Sequence, residues 1–336
     1  MENPMSSSTG GKIEDVISKR PFDKTEFIEK YSTFGIFIVL VIVATLWTDT
    51  FLSQRNLLNV LRQVAAGTGI MAVGMLFVIL TRGIDLSVGS IQALGSVLCG
   101  YYIVELDINI WVGIPLVLIS GAACGAVTGV FVAYLKLPSF VMSLAMMAMA
   151  RGLSLVYSQG QPIVLGKAGA SLVEFGSGRF LNVPLPVYLM GFIFIVAGIV
   201  LNYTKYGRIV KAIGSNEEAV RLSGINVPRY IASVYVISGM LAAVAGLVAA
   251  SRTGIGSAQV GVGAELNVIA AVVIGGASLM GGRGGVINTL IGALILGVMT
   301  NLMNLAGVPG YHQQVWMGVI IAVAMLLHFG VTRVKS

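Results

Sequence analysis

Long apolar runs, separated by short polar links, constrain the fold of this chain more than any other feature. Ten stretches of roughly 17–25 residues are each able to cross a bilayer as a helix. They lie at about 31–48, 60–81, 86–104, 110–134, 138–157, 185–203, 230–250, 265–280, 286–304 and 312–329. Only 10% of the 336 residues are charged, against about 25% in a soluble domain. The expected fold is therefore all-α: a polytopic membrane bundle spanning 31–330, with a polar tail at 1–30 and a short one at 331–336. The eighth stretch is the weakest, because Gly275, Gly276, Gly281 and Gly282 interrupt its end.

Ten crossings leave both termini on one side. If that side is cytoplasmic, fifteen of the 21 basic residues lie inside, as the positive-inside rule requires. Five are in the tail; Arg82, Lys136, Lys205, Arg208, Lys211, Arg221, Arg229, Arg283, Arg333 and Lys335 complete the set. The basic balance thus reflects membrane orientation, and no basic stripe with interleaved aromatics points to nucleic acid. The tail has no apolar core and small-residue cleavage site, which excludes a signal peptide. Cys99 and Cys124 both sit in apolar stretches and imply no disulfide framework. Residues 158–184 form the longest outer connection, and Trp47 and Trp111 fall at the outer edges.

The polar island at 204–229 is built to dock another protein. Ser215 and Glu218 have the spacing of a capping box. Glu217 and Glu218 then face the positive end of the helix dipole, with Arg221 nearer the negative end. Gly224 supplies a left-handed stop, and Pro228 prevents resumption. The expected helix has roughly two turns, about 12 Å, and is too short to be stable alone.

Two glycine-rich breaks interrupt the apolar pattern, with similar surroundings at 74–100 and 270–297. In the first, Thr81 to Ser90, two readings stand for Asp85: an N-cap of the third span, or part of a broken helix lining a pathway. Arg82 either pairs with Asp85 or marks the inner interface. The second break, Gly275 to Gly285, lacks the Gly-Lys-Ser/Thr ending of a phosphate loop. The chain accordingly has no ATPase of its own. Asp85, Ser87, Gln92, Arg151, Asn267, Ser278, Asn288 and Asn301 are the candidate pathway residues. Amides in spans also serve as helix glue. Catalysis finds no support: His312 and His328 stand apart from any ligand set, and Gly-x-Ser-x-Gly is absent. No metal or catalytic residue is assigned.

Several motifs in order resemble the sugar permeases of bacterial ATP-binding-cassette importers, most closely the ribose-type branch. These are Gly83-Ile-Asp-Leu-Ser-Val-Gly89, Pro138-Ser-Phe-Val141, Ala150-Arg-Gly-Leu153 and Gly160-Gln-Pro-Ile163. Tyr206-Gly-Arg208, Gly214-Ser-Asn-Glu-Glu-Ala219, Arg221-Leu-Ser-Gly-Ile-Asn226, Ala270-Ala-Val-Val-Ile-Gly-Gly276 and Gly281-Gly-Arg-Gly-Gly285 continue the match. The resemblance runs from about residue 50 to the C-terminus. It implies a paired permease in the bacterial inner membrane, two copies of a cytoplasmic ATPase that hydrolyses the ATP, and a periplasmic sugar-binding protein. It also implies that 214–226 is the coupling helix, with Ser215, Asn216, Glu217, Glu218, Ala219, Arg221, Leu222 and Gly224 at the ATPase contact. The cargo would be ribose or a similar monosaccharide. The alternative is an ATPase-independent secondary transporter or facilitator, which leaves the capped island a mere solvated loop.

Overall fold

The computed structural model describes residues 24–319 and 322, with side-chain surroundings from residue 33. Residues 1–23, the tail at 331–336 and half of the last expected span lie outside the described residues.

Helix α1 is Lys24–Trp47. Helix α2 (Gln54–Val64) continues through a π-turn at Ala65–Gly69 into α3 (Ile70–Leu80). Next come α4 (Val88–Gly100), α5 (Ile110–Ala133) and α6 (Ser139–Ser158). The 158–184 connection contains the small helix α7 (Ala170–Ser177). Then follow α8 (Leu185–Tyr203), α9 (Lys205–Ser215), α10 (Glu217–Leu222) and α11 (Val227–Thr253). Helices α12 (Ala264–Ile274) and α13 (Val286–Leu305) close the series, and residues 310–319 are again helical. A second π-turn at Tyr101–Glu105 extends α4, and four two-residue strands complete the regular elements among the described residues. β1 (Ile163–Val164) pairs with β4 (Ile255–Gly256), and β2 (Arg179–Phe180) pairs with β3 (Val183–Pro184).

Among the described residues, six helices are long and apolar enough to cross a membrane: Gln54–Leu80, Ile110–Ala133, Ser139–Ser158, Leu185–Tyr203, Val227–Thr253 and Val286–Leu305. The third expected span is present at nearly full length: the 13 residues of α4 run on through a five-residue π-turn at Tyr101–Glu105, about 27 Å in all. One expected span is shorter than anticipated: α12 has 11 residues, or about 16 Å against an apolar core of about 30 Å. The expected helix at 265–280 stops at Ile274, and a loop built on left-handed Gly276, Gly281 and Gly282 replaces its end.

The centre of the bundle is α11, packed between α4 and α5. In lipid the hydrophobic effect does not drive one helix against another, so close backbone approach must do so. Gly121, Gly125 and Gly129 stand at four-residue spacing on α5 and meet Gly239, Tyr235 and Ala232 of α11. A Cβ on Gly125 would collide with the Tyr235 carbonyl. On the other side, Gly246 lies against the Gln92 carbonyl and Gly95 against Ala243. All thirteen residues of α4 are buried, which explains why its sequence is apolar or small on every face.

The π-turn before α3 has a local cause. Gly67 leaves helical geometry (φ −113°, ψ −105°). The Ala66 carbonyl then accepts from Gln92 Nε2 at 2.9 Å, so the break in the helical ladder is repaired from α4. At the far end, α13 is joined to α2 by a reciprocal amide pair: Asn56 donates to Asn301 at 2.9 Å and Asn301 donates back at 2.8 Å.

Gly125→Val drives α5 off α11 and should destabilise the fold by about 1–3 kcal/mol. A lower thermal midpoint of the detergent-purified chain measures this, with Gly191→Val on α8, where a Cβ meets nothing within 4 Å, as the control that stays near wild type.

Candidate functional site: a polar node at one end of the bundle

The polar island folds as two short helices. Thr204 caps α9, its hydroxyl accepting from Gly207 N at 3.2 Å. The inner face of α9 buries Gly207, Val210, Ile213 and Gly214. The chain turns at Asn216, and α10 begins.

The expected capping box is not formed. Ser215 is the last residue of α9, and its hydroxyl donates back to the Lys211 carbonyl at 3.1 Å. The N-cap is Asn216, whose Oδ1 accepts from Ala219 N at 3.0 Å. α9 extends one residue further than the capping pattern suggested, so the cap moves one place along. Glu218 consequently does not reach back to the start of the helix. It receives Arg221 in a fork, from Nε at 3.0 Å and Nη2 at 2.6 Å. Arg221 holds the Glu218 carboxyl below its ordinary range, chiefly by hydrogen bonding. The pair therefore holds above that lowered value and is lost as pH falls through it. Glu217 pairs instead with Lys136 of the α5–α6 link at 2.9 Å.

One side chain of α10, Val220, is buried and anchors it. Ser215, Asn216, Glu218, Ala219, Arg221, Leu222 and Gly224 are exposed, Leu222 by 78%. Gly224 (φ 78°) ends the helix in the left-handed conformation, and its N–H donates to the Arg221 carbonyl at 3.0 Å. A six-residue helix with an exposed leucine, held by one buried valine, offers a mixed polar and apolar face to a partner.

Asp85 is neither an ordinary cap nor a partner of Arg82. It is 1% exposed. Its Oδ1 accepts from Ser87 N at 3.0 Å and Ser87 Oγ at 2.5 Å, and its Oδ2 accepts from Ser238 Oγ at 2.8 Å. Ser238 stands eleven residues into the 27-residue α11, about 16 Å along it. Three hydrogen bonds make the burial of this carboxyl tolerable.

The other pathway candidates do not converge on one cavity. Gln92 and Asn301 act as helix glue in the contacts given above. Arg151 donates from Nη1 to the carbonyls of Ala258 and Val260 (the latter 3.0 Å) and from Nη2 towards Gly89 at 3.5 Å. It ties the link after α11 to the start of α4. Ser278 belongs to the 275–285 loop, its hydroxyl accepting from Met280 N at 3.2 Å. Asn267 and Asn288 are half-buried on α12 and α13. A cavity of about 210 Å³ beside the node is lined by Thr81, Arg82, Lys136, Ser139, Glu217 and Tyr235. One of about 570 Å³ at the opposite end is lined by Arg55, Arg62, Arg179 and Asn56, among others. None of the eight pathway candidates lines either. Ser238, Lys136 and Asn56 were not legible as partners, because each is joined to its mate across 81 to 245 residues of sequence.

A bundle of apolar helices with a small exposed helix pair at one end is the architecture of a polytopic membrane protein. The chain belongs to the family described as branched-chain amino acid transport system / permease component, which matches residues 56–328. It is 44% identical over 316 residues to the ribose import permease protein RbsC of Escherichia coli K12, covering 94% of this chain and 98% of that one. The Bacillus subtilis RbsC is 43% identical over 293 residues (87% and 90%), and the Escherichia coli K12 L-arabinose transport system permease protein AraH is 34% identical over 308 residues (92% and 93%). No solved structure matches. This membership sets aside the ATPase-independent carrier, and the chain is a transport subunit rather than an enzyme.

Asp85→Ala leaves three buried donors without an acceptor, at about 1–3 kcal/mol each. Its level in membranes should fall well below that of Asp85→Asn, which keeps one acceptor oxygen; immunoblots of washed membranes compare the two.

Proposed function

We propose that two copies of this chain form the transmembrane pathway of a bacterial inner-membrane importer for ribose, driven by a cytoplasmic ATPase that docks on 214–226. The chain is the permease of an ATP-binding-cassette sugar importer of the ribose/arabinose type. Ribose is favoured over arabinose by the 44% against 34% identity of the relatives that carry those names. Ten crossings with both termini inside accommodate the observed helices, once α4 is followed through its π-turn to Glu105 and the short α12 is counted as an interrupted span. That orientation places α9 and α10 in the cytoplasm. The sugar-binding protein meets the opposite end, where α7 and the two strand pairs lie.

The observation that carries the docking assignment is α10 itself. It is capped by Asn216, anchored only through Val220 and exposed along Glu218, Ala219, Arg221 and Leu222. Closure of the ATPase pair around ATP would displace this helix and, through it, the bundle. Glu218 and Arg221, already paired with each other, would exchange that fork for groups on the ATPase, while Leu222 and Ala219 supply the apolar contact.

Leu222→Asp removes an apolar contact without disturbing a buried group. It should lower the ATPase recovered with the affinity-purified permease by about tenfold or more, at unchanged membrane level. Undiminished recovery would place docking elsewhere on the chain. In cells lacking other pentose importers, the intact system should accumulate radiolabelled ribose in preference to L-arabinose; the opposite preference would overturn the substrate assignment.

A further inference from the structure

Arg82 occupies a backbone position that ordinarily belongs to glycine. It follows α3 by two residues, with φ at 66°. Its N–H donates to the Ile79 carbonyl at 2.9 Å, while Gly83 N reaches the Val78 carbonyl at 3.1 Å. A left-handed residue that closes a helix is usually glycine, because a Cβ is strained there. The neighbouring residue is glycine, yet the strained place holds the arginine. The side chain must supply what the backbone loses.

Its guanidinium makes three hydrogen bonds, all to carbonyls and all across long sequence separations. Nε donates to Gly214 at 2.7 Å and to Met280 at 3.0 Å, and Nη2 donates to Ser215 at 2.9 Å. Gly214 and Ser215 end α9, where carbonyls lack helical partners and the dipole favours a cation. Met280 lies in the loop between α12 and α13. Beside these bonds, Gly282 N donates to the Leu80 carbonyl at 3.0 Å. Gly214 is wedged between that carbonyl and Gly282, leaving no room for a side chain. Three segments therefore meet at one point: the end of α3 before the first break, the loop of the second break, and the end of α9 just before the docking helix.

We propose that Arg82 is a positioning residue that joins α9–α10 to both glycine-rich breaks, so that a displacement of the docking helix moves the ends of α3 and α12 with it. This rests on the docking assignment above and adds the joint through which docking acts. Other links are weaker candidates for that role. Arg82 is exposed too, but it makes three bonds to two segments, whereas the Lys136–Glu217 pair is a single contact. It also reaches only the α5–α6 link, not either break.

Arg82→Gly tests the joint cleanly, because glycine relaxes the strained backbone while deleting the guanidinium. Permease, ATPase and sugar-binding protein are reconstituted in liposomes with either wild-type or variant chain, and ATP hydrolysed is measured against ribose moved. The variant should retain its ATPase in wild-type proportion and hydrolyse ATP, yet move about 5- to 150-fold less sugar per ATP, the span of typical coupling factors. Amide exchange should accelerate together at Asn216 and Gly282, while amides of α4 stay protected. Arg82→Lys, which keeps the charge without the planar fork, should fall between the two. Sugar moved per ATP at the wild-type ratio in Arg82→Gly would overturn the inference and leave docking intact. Loss of the ATPase from the variant complex would also overturn it, making Arg82 a support of the docking surface. If the wild-type chain itself binds no ATPase, the docking reading fails, and the joint with it.

Discussion

Everything in this bundle is placed relative to α11, and α11 is held by backbone meeting backbone. Gly121, Gly125 and Gly129 of α5 bring that helix against Gly239, Tyr235 and Ala232. Gly246 does the same towards α4. Dispersion at this range is substantial because so many atoms touch at once. Such contact fixes the sliding register of three helices in a medium where apolar side chains gain nothing by leaving lipid. With that register set, Ser238 arrives opposite Asp85, Tyr235 opposite Gly83, and Ile255–Gly256 beside β1.

Against that frame the two breaks acquire a common meaning. Each follows an eleven-residue helix, α3 or α12, and each is rich in glycine. Their ends touch directly through the Leu80 carbonyl and Gly282 N–H. The polar groups exposed by both interruptions are satisfied by protein rather than by lipid, as irregular backbone within a membrane requires. The carboxyl of Asp85 serves the first break, and the turn from Ser278 to Arg283 serves the second, with Ser278 N donating to the Arg283 carbonyl at 2.9 Å.

The sequence made the helices legible because apolar length is a strong signal, and all ten expected stretches contain helix among the described residues. It also marked out the polar segment proposed here to dock a partner, since charges so close together stand out in a chain with few. Local chemistry was read less well. The spacing favours Ser215 as the cap, whereas the structure gives that place to Asn216, one residue on; both are good cap residues, so spacing alone does not choose between them. The truncation of α12 at Ile274 and the bonds of Arg82 were hidden for another reason. They depend on segments 132 to 198 residues apart meeting in space, and no local pattern encodes such a meeting. The candidate pathway residues were chosen for polarity at depth, a property that the amides of Gln92 and Asn301 share with ordinary glue between helices.

The Asp85–Ser238 bond also sets an order of events during synthesis. The two residues are separated by 153 positions, which a ribosome covers in about 8–30 s at 5–20 residues per second. For that interval α4 has emerged with an acidic group at its head and no α11 to receive it. With its π-turn the helix reaches Glu105, only just long enough to span, and a carboxylate makes insertion less favourable. Until then Asp85 has its neighbour Ser87 as a partner but not Ser238. The bond that joins the two halves of the bundle at this point is thus among the later ones the growing chain can make.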